Sequence, residues 1–128
     1  MMANNWKNKD FNTALKNSFS GIVYAFKNER NLKIQFCIAI LVIFIATILH
    51  INLIKFAILL TCIALVIFAE MINTTIERVL DLYSTNYNEK IKIAKDIASG
   101  AVLINSIFAC IIGVIIILPE LIKLLKIF

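Results

Sequence analysis

Four polar residues, Glu70, Asn73, Glu77 and Asp81, stand at i, i+3, i+7 and i+11 in a stretch without Gly or Pro. That spacing puts them on one face of a helix. Glu70 lies at the edge of an apolar run, where an ionisable group is costly and becomes a candidate for function. Glu77 sits roughly 10 Å further along at 1.5 Å rise per residue. One face thus offers a carboxylate at lipid-headgroup depth and another at aqueous depth, which suits a reaction between a lipid head and a water-soluble cosubstrate. The same residues would also serve as interhelical glue. Lys95-Asp96 opens another apolar run at the same depth. A lysine there can hold a phosphate as a point charge, or the two form an ordinary interfacial pair. Glu29 sits among Lys27, Arg30 and Lys33, where a solvated salt bridge is its simplest role.

The motifs that are missing narrow the chemistry. The sequence has no GxxxxGK[ST] phosphate loop and no protein-kinase set of Gly-rich loop, HRD and DFG. Three glycines, Gly21, Gly100 and Gly113, cannot build a glycine-rich anion nest. Phosphate chemistry would have to rely on Mg²⁺ held by carboxylates, together with lysine. Cys37, Cys62 and Cys110 each lie in an apolar run and form no CxxC pair, so neither zinc nor a disulfide framework is expected. His50, the single histidine, falls at the other end of the first apolar run and reads as an interfacial polar residue.

These residues need apolar elements to position them. Of the 128 residues 61% are hydrophobic and 16% charged, against about 45–50% and about 25% in soluble domains. A soluble fold of this size cannot hide so much apolar side chain. An integral membrane protein with a single domain over residues 1–128 is expected, and the polar start predicts no secretory signal peptide. Phe11, Leu15, Phe19, Ile22 and Phe26 form one stripe of an amphipathic helix over about 11–30. It would lie on the membrane surface or against the transmembrane bundle. Apolar runs predict spans at about 34–54, 56–77 and 97–119. The second helix continues toward Tyr83, residues 84–88 make a polar connection, and Pro119-Glu120 ends the third span. The fold class is an all-α membrane protein: one surface helix and three transmembrane helices.

Six Lys and Arg precede the first span and four lie between the second and third, against three on the other side. The positive-inside rule then places the N-terminus and the second connection in the cytoplasm, where ATP is found. The same topology accounts for the net charge of +5, so no nucleic-acid partner is expected.

Three stretches resemble the small prokaryotic diacylglycerol kinase and undecaprenol kinase family: Tyr24-Ala25-Phe26-Lys27-Asn28-Glu29-Arg30-Asn31, Ala69-Glu70-Met71-Ile72-Asn73-Thr74-Thr75-Ile76-Glu77 and Ala94-Lys95-Asp96-Ile97-Ala98-Ser99-Gly100-Ala101-Val102-Leu103. Their order and spacing agree over nearly the whole chain, and E-x-x-N-x-x-x-E together with A-K-D is highly specific. The resemblance implies ATP- and Mg²⁺-dependent phosphorylation of a membrane lipid hydroxyl, on undecaprenol or diacylglycerol, in the bacterial cytoplasmic membrane. It implies that Glu70 is the general base and touches the lipid, with Ser99 also on the lipid side. Glu29 and Glu77 would bind Mg²⁺ with the ATP phosphates. Asn73, Lys95 and Asp96 would line the nucleotide and γ-phosphate site, with Asn86 and Tyr87 approaching the nucleotide. Asn17 would join them, at a position where proteobacterial members carry an aromatic residue. Gln35 replaces an ionisable residue common at its position. Family members are homotrimers with composite sites. The Glu-Arg-Asn run and the Leu-Pro ending at Pro119 look more like undecaprenol kinases of Gram-positive bacteria. A non-enzymatic helical assembly, such as a pore, would need polar residues along the full depth of a span, and the middles of all three spans are apolar.

Overall fold

The computed structural model describes residues 10–126 and is built from four helices. These are α1 (Phe11–Asn28), α2 (Arg30–Ile48), α3 (Leu53–Tyr83) and α4 (Glu89–Leu125). Asp10 caps α1 by accepting the Thr13 N–H at 3.0 Å, and these hydrogen bonds hold its carboxyl below the usual range. At the other end of α1, the Asn28 side chain donates to the Tyr24 carbonyl at 2.7 Å and Lys33 Nζ to that of Lys27 at 2.8 Å. The Lys27 carbonyl, one of the last four without a helical partner, is satisfied by the second of these bonds.

The surface helix stops two residues short of the expected 30. Glu29 takes extended backbone angles (φ −100°, ψ 118°), so α2 starts at Arg30 rather than near residue 34. Neither Gly nor Pro marks this break. The apolar stripe of α1 is largely exposed, with Phe11, Leu15, Phe19 and Ile22 uncovered, as a helix lying on a bilayer surface requires. Phe26 meets Phe36 of α2 edge-to-face at 5.3 Å between ring centroids.

Helix α2 ends at Ile48. The Ile51 N–H donates to the Ala46 carbonyl at 3.2 Å and the His50 N–H to that of Thr47 at 3.1 Å. With His50 at φ 50°, this is a Schellman ending whose left-handed position is filled by His instead of Gly. Asn52 then caps α3, accepting the Lys55 N–H at 3.0 Å.

The 31 residues of α3 and 37 of α4 span roughly 46 and 56 Å at 1.5 Å per residue. Both outlast a hydrocarbon core of about 30 Å. Three helices, α2, α3 and α4, are long and apolar enough to cross a membrane. Pro119 lies inside α4, which continues to Leu125. Membrane helices tolerate such a proline when neighbours restrain them. Here Glu120 accepts from Lys55 of α3 at 2.7 Å and from Lys123 at 3.1 Å, holding the last turns in place. Near that end Ala46, Leu59 and Ile116 form a small core joining all three spans. Most contact is between α3 and α4, and α2 also packs against α3. Between α2 and α4 runs an apolar groove of about 500 Å³, lined by residues including Ile38, Val42, Leu59, Ile63 and Gly113, with Gln35 also on its wall.

Candidate functional site

The C-terminal half of α3 carries the polar residues, and every other helix reaches it there. Residues 70–81 of this helix cover roughly 16 Å of its axis. Glu70 is 4% exposed, a buried carboxylate. Its partner is Gln35 of α2, whose Nε2 donates to Glu70 Oε2 at 3.1 Å. One turn on, Asn73 is 7% exposed and donates from Nδ2 to Glu77 Oε1 at 3.2 Å. Asn73 Oδ1 and Gln35 Oε1 are buried acceptors with no hydrogen-bond partner among the described residues. Buried polar atoms of this kind call for a donor, and both belong to side chains on residues neighbouring Glu70 in the fold.

Glu29 reaches α3 from the α1–α2 break. Its Oε1 accepts from Arg78 Nη2 at 2.7 Å, while Arg78 Nη1 donates to the Tyr24 hydroxyl at 3.0 Å. The guanidinium also lies over the Tyr24 ring, 4.9 Å from the centroid. The break at Glu29 brings this carboxylate to Arg78, the residue following Glu77. From α4, Lys95 Nζ pairs with Asp81 Oδ1 at 2.6 Å. Lys92 pairs with Asp96 at 2.5 Å within α4, and Ser99 donates to the Asp96 carbonyl at 3.1 Å.

The connection 84–88 closes this end with an open cleft of about 480 Å³, whose walls include Asp81, Asn86, Tyr87, Lys92 and Lys95. Glu70, Asn73 and Glu77 thus share the expected α3 face, and Glu29 and Lys95 are brought to the same stretch. Asn86, Tyr87 and Lys95 meet at the cleft. Asp96 and Ser99 are exposed on α4, and Asn17 is exposed on α1 two turns before Tyr24. The sequence reading gave Gln35 no role, treated Arg78 only as a topology charge and Tyr24 only as part of a matching stretch. One signal was available for Gln35, an amide at the start of an apolar run level with Glu70.

Among the described residues no cluster of three or more His, Cys, Asp or Glu could cage a metal. Carboxylates come singly, Glu77 beside Asn73 and Glu29 beside Arg78. Such a donor set fits Mg²⁺, which is commonly held by one or two carboxylates plus substrate phosphates.

Residues 16–117, a stretch that includes every candidate residue above, match the family model described as prokaryotic diacylglycerol kinase. A diacylglycerol kinase of Synechocystis sp. is 40% identical over 109 residues, which are 84% of this chain and 62% of that relative. The chain therefore spans less than two thirds of the cyanobacterial protein. The undecaprenol kinase of Bacillus subtilis is 31% identical over 120 residues, 88% of this chain and 98% of that protein. The diacylglycerol kinase of Escherichia coli K12 is 34% identical over 94 residues, 73% and 77% of the two chains. With three membrane-length helices and a polar site along α3, the chain belongs to the prokaryotic diacylglycerol kinase family.

Proposed function

We propose that this protein is a lipid kinase that transfers the γ-phosphoryl group of ATP to the hydroxyl of a membrane lipid. The observation that carries the reading is Glu70, a buried carboxylate at the polar end of an apolar helix, oriented by Gln35 and followed on one face by Asn73 and Glu77. Family membership supplies the reaction class. In the step, Glu70 takes the proton of the lipid hydroxyl as its oxygen bonds to the γ-phosphorus. The bond from that phosphorus to the bridging oxygen breaks, leaving ADP. Phosphoryl transfer needs little covalent help, so positioning and charge do most of the work.

Lys95 supplies a fixed positive charge for the phosphates, and Asn86 and Tyr87 form the nucleotide's wall of the cleft. Asp96 completes the nucleotide side, Asn17 lies toward the adenine, and Ser99 faces the lipid. Glu29 and Glu77 would hold Mg²⁺, which when bound offsets negative charge on the phosphate oxygens. The site opens to the cytoplasm of a bacterial inner membrane, as supported by ten of thirteen Lys and Arg on that side. Three chains would assemble with composite sites, since the uncovered apolar faces of α2, α3 and α4 leave ample surface for neighbours.

The acceptor is undecaprenol or diacylglycerol, each with a primary hydroxyl at the headgroup plane. Glu29-Arg30-Asn31 and Leu118-Pro119 resemble undecaprenol kinases of Gram-positive bacteria; the 40% identical relative is named a diacylglycerol kinase. Labelled ATP and Mg²⁺ offered with both lipids in parallel mixed micelles test the reading. A preference of tenfold, about 1.4 kcal/mol, for either lipid assigns the acceptor. No transfer to either, with the fold intact, overturns the kinase reading.

A further inference from the structure

Nothing in the transfer step uses Arg78, yet three interactions converge on it. Its guanidinium donates to Glu29 at 2.7 Å, donates to the Tyr24 hydroxyl at 3.0 Å and lies 4.9 Å from the Tyr24 ring centroid. It is the residue immediately after Glu77. A carboxylate assigned to a metal is thus held by a cation of the protein itself. The arrangement has a parallel in Lys95, a cation assigned to phosphate and held by Asp81 at 2.6 Å.

We infer that Arg78 is the resident counter-ion of Glu29, disfavouring bare divalent cations there and releasing the carboxylate when nucleotide phosphates arrive. The inference rests on the reading of Glu29 as a metal-binding carboxylate. Arg78 occupies one oxygen of Glu29. A dication on the other oxygen would share a single negative charge with the guanidinium and be repelled by it. The pair is displaceable, because the side chains of Arg78 and Glu29 are 46% and 25% exposed and ion pairs in reach of solvent are weak. Phosphate oxygens are strong partners for a guanidinium fork. A nucleotide therefore offers Arg78 a substitute for Glu29, whereas a metal ion alone offers none. Arg78 acts as a positioning residue, through Glu29, and favours metal entering together with phosphate.

Mn²⁺, standing in for Mg²⁺, is titrated into the detergent-solubilised full chain and followed by its EPR signal, with and without a non-hydrolysable ATP analogue. Wild type is compared with Arg78→Gln, Glu29→Gln and the double variant. Removing the competing charge should tighten Mn²⁺ alone by about three- to fivefold in Arg78→Gln. The gain should disappear in the Glu29→Gln background and shrink when the analogue is present. Arg78→Lys keeps a charge but not the fork that bridges Tyr24 and Glu29; it should tighten Mn²⁺ by less, and gives the same sign test if Arg78→Gln does not fold. A purely structural role predicts the opposite sign, since loosening the α1–α3 contact would weaken the metal site. Equal or weaker Mn²⁺ binding in the Arg78 variants, with Glu29→Gln weakened, overturns the inference and leaves the site reading standing. A gain as large with the analogue as without it overturns the hand-over. Unchanged Mn²⁺ affinity in Glu29→Gln overturns both this inference and the assignment of Glu29 to the metal.

Discussion

At the scale of single residues, the site depends on placing a carboxylate where water is scarce without leaving it unpartnered. Glu70 meets that need through the Gln35 amide, a neutral donor that compensates its burial. Hydrogen bonds to charged groups are worth about 1.5–3 kcal/mol. Gln35→Leu should therefore lower kcat by about tenfold or more while nucleotide affinity stays near that of wild type. Steady-state kinetics with a separate binding assay would check this split, and an unchanged kcat would remove Gln35 from the site. The α3 residues were legible in the sequence because helical spacing alone aligns Glu70, Asn73 and Glu77. The contacts of Gln35 and Arg78 were not legible. They join residues 35 and 49 positions apart, between helices whose mutual rotation no local pattern specifies.

Element boundaries show which signals carry structural information and which do not. The four helices, the long reach of α3 and the polar connection 84–88 follow from hydrophobic periodicity and run length. Their ends were less readable. The break at Glu29 has no Gly or Pro, and its contact with Arg78, 49 residues away, is made only once the chain has folded. Pro119, normally a stop signal, is carried through by a helix whose last turns are held by Lys55 and Lys123 on Glu120. The end of α2 depends on His50 in a left-handed conformation, φ 50°, which costs an L-residue about 1–2 kcal/mol and glycine little. His50→Gly should thus raise stability by about 1 kcal/mol and leave kinetics unchanged. A thermal unfolding series in detergent would detect it, and destabilisation would show that the imidazole, whose Nδ1 lies 2.8 Å from the Ile48 carbonyl, matters more than the backbone relief.

For the whole molecule, the distribution of charge and apolar surface sets orientation and assembly. Polar residues of the site gather at one end, beside the loop 84–88, while the opposite end carries Lys55, Glu120 and Lys123. If the site faces the cytoplasm, a membrane-impermeant thiol reagent on intact cells should label His50→Cys and spare Thr85→Cys in a cysteine-free background. The reverse pattern would invert the topology and put the site out of reach of cellular ATP. Chemistry and topology meet in Glu70, the proposed base of the transfer. The most direct measurement compares wild type with Glu70→Gln for lipid phosphorylation and nucleotide binding on the same preparations. A general base contributes typically 10²–10⁴-fold, so turnover should fall at least about a hundredfold while nucleotide affinity stays within about twofold, a shift of only ~0.4 kcal/mol. Near-full turnover in Glu70→Gln would contradict the account.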